Sequence, residues 1–487
     1  MKHKLNLIFD LPQTGADNKR FLKKCDVVKP NFQNYYGENT LRDQDLDIPD
    51  LSEIQVLRHY TNMSSRNFGV ENGPYPLGSC TMKYNPKINE NVAGLPGFQN
   101  THPLQPVETV QGNLALLYNL EQKLNAIFGM DYFTFQPSAG AHGELTGIMM
   151  IKAYHEANGN FERKVMLIPD SAHGTNPASA AMAEFEIREI KSNEHGLVDV
   201  DDLISKLDDQ VAGIMLTNPN TLGLFEKEVA EMTDLVHRAG GLCYYDGANA
   251  NAILMQTRPG DMGFDVVHLN VHKTFGTPHG GGGPGAGPVG IKKILEPFLP
   301  KPVIVKNNNT EPNYDLDYDR PQSIGKVRAF IGSFAVYVKT YAYILAYGAE
   351  GLAEVSEAAV ANANYLLERV RNSYHVPYSE PAMHEFIITS KMLKEQYGVT
   401  TTDVAKRLID KGFHPPTVYF PLIVPEAMMV EPTDTETLEG LEGLANAFNE
   451  IAEEAAEYSQ LLKDAPHDMP ITRPDETKAA RKPVLKV

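Results

Sequence analysis

The sequence predicts an α/β protein in which a large, mostly parallel sheet is covered by helices and followed by a smaller C-terminal αβ domain. Three observations predict it. Short apolar runs, YFTF at 132–135, KVMLIP at 164–169, AGIMLTN at 212–218, LCYYD at 242–246 and DVVHLNV at 265–271, alternate with helical stretches, the rhythm of a parallel sheet with crossover helices. A second, smaller αβ pattern occupies 336–462. The chain has 487 residues, 42% hydrophobic and 22% charged, a composition that suits a packed enzyme and not a disordered, collagenous or coiled-coil protein.

Residues 1–105 are rich in Asn, Pro, Gly and Asp and are expected to wrap over the rest of the chain. Leu114, Leu117, Leu120, Leu124 and Phe128 then recur at helical spacing and Gly129 supplies a stop, so a core-packed helix opens the large domain, placed at 106–335. Further helices are expected at 143–157 and 226–239, the second ending in Ala239-Gly240-Gly241. The polar stretch KNNNTEPNYDLDYDRPQS at 306–323 reads as a surface excursion. Helical runs at 333–349 and 351–372 lead into the small domain, which contains EFIIT, a helix at 401–411 and PLIVPEAMMVEPT. The last segment, 463–487, carries Lys478, Arg481, Lys482 and Lys486 and is expected to be an extended arm.

Charge excludes some functions. With 44 Lys+Arg against 62 Asp+Glu, the net charge is −18, which repels phosphate backbones and anionic lipid; neither nucleic acid nor a membrane is expected as a partner. The three cysteines, Cys25, Cys80 and Cys243, are odd in number and lack metal-like spacing, which argues against a disulfide framework. No run approaches 18 uninterrupted apolar residues and the start lacks a leader-like apolar stretch; a cytoplasmic protein is expected.

Ligands in open parallel sheets sit beyond the carboxyl ends of the strands, so the residues after each apolar run carry the chemistry. Lys273 lies in NVHKTFGTPHGGGGPG, residues 270–285, directly after a strand. Partial desolvation there favours the neutral amine that attacks an aldehyde; taken alone, Lys273 is more often a strand-end lysine reaching solvent, and only its company favours the chemistry. Asp246 ends LCYYD and is followed by Gly247, Ala248 and Asn249. Such a carboxylate can keep a pyridine nitrogen protonated, or it can simply form a turn. Phe135 leads through Gln136 and Pro137 to Ser138, Ala139, Gly140, Ala141 and His142 ahead of a helix. Small residues at that turn expose N–H groups to a phosphate, and His142 is placed to lie flat against a cofactor ring, unless it is merely a capping side chain. An imine-forming amine, a ring-nitrogen acid and a phosphate cradle from three strand ends make pyridoxal phosphate the best single explanation. The HGGGGPG run is followed by neither the Lys-Ser/Thr of a Walker loop nor a helix, as a dinucleotide site requires. His268, His272 and His279 have no carboxylate or cysteine at ligand spacing, so no metal is expected.

The order and spacing of these groups resemble the aspartate-aminotransferase-like, fold type I, pyridoxal enzymes. That resemblance implies phosphate contacts from Asn270 and His272, a place for Asn249 near the phenolic oxygen, and Ala248 in the same cofactor-binding turn. PLGSCTMKYNP (76–86), QPSAGAHGELTG (136–147), HGTNPASA (173–180), the lysine segment, and FHPPTVYFPL with MMVEPT (413–433) resemble the P-protein, glycine decarboxylase, of the glycine cleavage system from about residue 50 onward. Single-chain P-proteins are about twice as long, with the lysine in the C-terminal half. This sequence resembles that half, called subunit 2 in two-subunit forms, which implies a separate subunit 1.

The resemblance further implies pyridoxal 5'-phosphate held as a covalent imine on Lys273, glycine as substrate, and Asp246 and His142 as catalytic partners. The product aminomethyl group would pass to the lipoyl group of a small H-protein, in a dimer of heterodimers. Ser79, Cys80 and Thr81 are placed near substrate by resemblance alone; Cys80 is otherwise a buried small residue. His173 and Thr175 would line the pocket or close a turn, with His384, Glu385 and His414 as weaker candidates. Two rival readings are another enzyme of the same fold, such as a cysteine desulfurase or aminotransferase, and a non-catalytic scaffold subunit.

Overall fold

The computed structural model describes residues 6–11, 28, 31–36, 40–41, 44, 49, 51–278, 285–308 and 311–485. Cys25, His279, the glycines 280–283 and Lys486 lie outside the described residues. The chain divides into two compact units, Gly73–Pro466 and Met1–Asn72 with His467–Val487. The smaller unit contains the helix Glu53–Ser64, started by a capping box in which Ser52 and Gln55 satisfy each other's backbone N–H groups. It also contains a short helix, Glu476–Arg481, capped by Asp475. Among the described residues no helix is long and apolar enough to cross a membrane.

The larger unit is built on seven strands: β1 Tyr132–Thr134, β2 Val165–Pro169, β3 Glu186–Ile190, β4 Val211–Thr217, β5 Leu242–Gly247, β6 Val266–Leu269 and β7 Val289–Ile291. Their order is β1-β7-β6-β5-β4-β2-β3, and every pairing is parallel except the two made by β7. The apolar runs are continuous because both faces are covered. Val165, Leu167, Ile214, Leu216, Cys243, Tyr245 and Val267 pack on one face with the helices Gln111–Phe128, Val229–Arg238 and Phe334–Val370. Met166, Ile168, Met215, Tyr244 and Val266 pack on the other with the helix Gly140–Ala157.

Three details differ from the sequence expectation. β6 stops at Leu269; Asn270 stays extended (φ −106°, ψ 96°) and Val271–Thr274 forms one helical turn, so Lys273 sits in that turn. β3, Glu-Ile-Arg-Glu-Ile, was not expected as a strand; it is an edge strand in which only Ile190 is buried, and its charged residues mask it. Inside the polar stretch, β9 Tyr314–Asp317 pairs antiparallel with β8 Val303–Lys306. The two expected helical runs at 333–349 and 351–372 correspond to Phe334–Val370, broken at Gly348 (φ 65°, ψ −173°).

A second core surrounds an antiparallel sheet, β10 Phe386–Thr389, β11 Thr417–Val418 and β12 Ala427–Val430, in the order β10-β12-β11. Leu77 bridges to Val430, Gly78 donates its N–H to the Met429 carbonyl (3.2 Å), and Thr417 Oγ1 donates to the Gly78 carbonyl (2.6 Å). A Cβ on Gly78 would come within 2.2 Å of the Met429 side chain; glycine there lets the segment 76–83 lie against the sheet.

Candidate active site

A cleft of about 980 Å³ lies at the carboxyl ends of the parallel strands. Thr217 ends β4, Asp246 is the penultimate residue of β5, and Asn270 and Lys273 follow β6; all four face the cleft. Lys273 is 8% exposed and its Nζ donates to the Ser79 carbonyl at 2.6 Å. Ser79 holds a left-handed backbone (φ 67°), which turns its carbonyl to Lys273 and its N–H to Glu385 Oε2 at 2.8 Å.

Asp246 Oδ1 accepts from the Ala248 N–H (3.0 Å) and lies 3.5 Å from His268 Nε2. His268, inside β6, is fully buried, with Tyr244 Oη 2.5 Å from its Nδ1. Burial lowers the basicity of this ring. Glu144, from the helix Gly140–Ala157, joins the same group: one side-chain atom each of Glu144, Asp246 and His268 lies within 4.8 Å of the others. Burial, then the neighbouring Asp246, push the Glu144 carboxyl well above the ordinary range, while hydroxyls of Thr175 (2.9 Å) and Ser179 (3.3 Å) bond it. Thr175 Oγ1 is also 2.9 Å from His173 Nδ1, and burial keeps that histidine neutral as it faces the cleft.

The helix Gly140–Ala157 starts without a side-chain cap, and Gly140 and Ala141 line the cleft with its first N–H groups. A Cβ on Gly140 would stand 2.2 Å from Asn270 Oδ1, so glycine alone permits Asn270 this close to the helix start. Asn270 Oδ1, Thr217 Oγ1 and both ring nitrogens of His384 are buried at the cleft without a hydrogen-bond partner among the described residues.

Of the sequence-derived residues, Ser79, Cys80, Gly140, His173, Thr175, Asp246, Ala248, Asn249, Asn270, His272 and Lys273 line one cleft, with His384 and Glu385. Ser138, Ala139, His142 and Thr81 do not. His142 turns back on the chain, with its Nδ1 3.2 Å from the Ser138 N–H and 3.1 Å from its hydroxyl; the imidazoles that line the cleft are those of His173, His272 and His384. Thr81 is buried and donates to Glu431. Tyr75, not the cleft, stacks on His414, at 3.7 Å. Sequence reasoning did not single out Glu144, Glu431 or the 217–221 loop as site residues. The loop directly follows an apolar run and was findable by the strand-end rule; the buried acids had no such signal.

Comparison with known proteins identifies the family. The family described as Glycine cleavage system P-protein matches residues 37–411, and Glycine dehydrogenase, C-terminal domain, matches 355–471. A probable glycine dehydrogenase (decarboxylating) subunit 2 of Alkaliphilus oremlandii is 56% identical over 480 residues, covering 99% of this chain and 98% of its own. The protein of the same description from Caldanaerobacter subterraneus subsp. tengcongensis is 57% identical over 487 residues, covering 100% and 99%. Among solved structures, a glycine decarboxylase (P-protein) of the glycine cleavage system in inhibitor-bound form superposes with TM-score 0.73 at 20% identity, covering 86% of this chain and 94% of that one. Lactobacillus brevis glutamate decarboxylase shares the fold at TM-score 0.64 and 13% identity, covering 85% and 95%.

Proposed function

The chain belongs to the glycine cleavage system P-protein family, and from that premise we propose that Lys273 and Asp246 act on pyridoxal 5'-phosphate held in the cleft. The fold is that of fold type I pyridoxal phosphate enzymes, and the function is the decarboxylating step of glycine cleavage, carried by the second of two subunits. What supports the residue assignment is the convergence of Lys273, Asp246 and Gly140 from three separate strand ends on one cleft.

The residues fit the cofactor. The open polar atoms of Asn270 and Thr217 and the uncapped helix start are contacts that a phosphorylated pyridine would complete. Gly140 and Ala141 N–H groups, Asn270 and His272 would take the phosphate, Asn249 the phenolic oxygen, and Asp246 the proton on the ring nitrogen. When bound, pyridoxal phosphate supplies an electron-accepting ring, so that the pair of glycine's Cα–carboxylate bond has somewhere to go as CO2 leaves.

The chain's own groups do the rest. Lys273 supplies the amine that holds the cofactor and gives way to the amine of glycine, staying close through the Ser79 carbonyl. The Ala248 N–H fixes the carboxyl of Asp246. Glu144 keeps its own proton, through burial and the nearness of Asp246, and through Thr175 it orients His173 over the cleft. The aminomethyl group then passes to the lipoyl group of an H-protein, and subunit 1 completes the enzyme as a dimer of heterodimers in the cytoplasm. Borohydride reduction of the loaded protein followed by peptide mapping tests the assignment: the label is expected on Lys273, and a label on any other lysine overturns it.

A further inference from the structure

Beside the cofactor contacts lies a buried acidic pair to which the mechanism above assigns no task. Glu385 precedes β10 and Glu431 follows β12; because Phe386 pairs with Val430, the two carboxyls stand side by side at one end of the sheet. Glu385 is 4% exposed and Glu431 is fully buried, and one side-chain atom each of Glu385, Glu431 and His384 lies within 4.8 Å of the others. Two carboxylates this close and this dry cannot both be ionised, so the pair shares a proton.

The hydrogen bonds decide where it sits. Glu431 accepts from the Thr81 hydroxyl (2.5 Å) and from Asn249 Nδ2 at 2.9 and 3.0 Å, whereas Glu385 accepts from the Ser79 N–H at 2.8 Å. Glu431, which accepts more hydrogen bonds, holds the charge and Glu385 the proton. Of the two, Glu385 is the one that lines the cleft. The other titratable and charged groups facing the pair are Lys273 from the turn after β6, Cys80 and Lys83 from the 76–83 segment, and His384 beside Glu385. Lys83 is itself paired with Asp434. His384 is not a proton source: burial pushes it down to about 3.

The reaction requires such a proton. The glycine Cα–carboxylate bond breaks and CO2 leaves; the carbon forms a bond to one sulfur of a dithiolane; the S–S bond breaks and its pair departs on the other sulfur. The carbon is oxidised, the disulfide is reduced, and the departing thiolate must take up one proton. We propose that Glu385 is a catalytic acid that protonates this departing sulfur, with the Glu431 carboxylate holding the proton on Glu385 beforehand. The proposal rests on the glycine-decarboxylating reading above.

The test uses the holoenzyme with its partner subunit and lipoylated H-protein. Glu385→Gln is expected to slow aminomethyl transfer about 100-fold or more, to lose the infrared band of a buried protonated carboxyl, and still to change cofactor absorbance with glycine. The wild-type transfer rate should fall as pH rises through the titration of the pair. Glu431→Gln should move that fall to lower pH, because removing the negative neighbour makes Glu385 a stronger acid. Transfer by Glu385→Gln within about threefold of wild type, or an unmoved pH profile in Glu431→Gln, overturns the proposal. If Glu385→Gln fails to fold, the Glu431→Gln profile decides alone. A wild-type enzyme whose absorbance ignores glycine overturns the underlying reading, and the proposal with it.

Discussion

Replacing Gly140 with alanine should weaken cofactor binding while leaving the fold intact. The new Cβ would stand 2.2 Å from Asn270 Oδ1 and 2.9 Å from its Cγ and Nδ2, where ordinary contact starts at 3.4 Å. Asn270 is 7% exposed and must swing away or push the helix start back. Overpacking of this kind costs about 1–3 kcal/mol. Both groups that would move are the assigned phosphate contacts, so the cost should appear as about 5- to 150-fold weaker binding of pyridoxal phosphate. Absorbance titration of the apo chain measures it, with Gly112→Ala as the control, since a Cβ at Gly112 meets nothing within 4 Å. Wild-type affinity in Gly140→Ala would refute the placement of the phosphate. An equal loss in Gly112→Ala would show that the effect is not local.

Asp246→Asn should still bind the cofactor but lose about 100-fold or more in turnover, measured as CO2 release from glycine; wild-type rates would remove its role at the ring nitrogen. Lys83→Met should leave Asp434 as an uncompensated buried charge, because the pair is 3.0 Å apart with side chains 0% and 5% exposed. A loss of about 3–5 kcal/mol is expected from the urea midpoint, largely recovered in Lys83→Met with Asp434→Asn; an unchanged midpoint contradicts it. Burial holds the Glu121 carboxyl at about 7 instead of its ordinary 4.5, so the native state keeps a proton that the unfolded chain releases. The associated stability is full below pH 4.5 and lost as pH rises through about 7. Glu121→Gln should therefore gain up to about 3 kcal/mol over wild type at pH 8 relative to pH 4, and parallel pH profiles of the urea midpoint would refute this.

The large sheet was legible because strands buried on both faces write themselves as unbroken apolar runs, as in VMLIP and LCYYD. The edge strand β3 was not, since it is exposed over most of its length and its Glu and Arg read as a charged loop. Lys273 and Asp246 were singled out by their places just after and at the end of apolar runs, and both line the cleft. His142 was assigned to the ring from its place in a strand-to-helix turn of small residues, but its imidazole turns back onto Ser138, a direction that spacing does not encode. Glu144, Glu431 and Lys83 escaped because a charged residue in a sequence looks solvated. Their burial depends on contacts such as Thr81 with Glu431 and Lys83 with Asp434, each joining residues about 350 positions apart.

The most direct measurement of the central claim is glycine-dependent exchange of labelled bicarbonate by this chain mixed with its partner subunit and lipoylated H-protein. The account predicts exchange only when all three are present and its loss in Lys273→Ala. Full exchange by this chain without its partner subunit, or turnover of cysteine with no response to glycine, would contradict it.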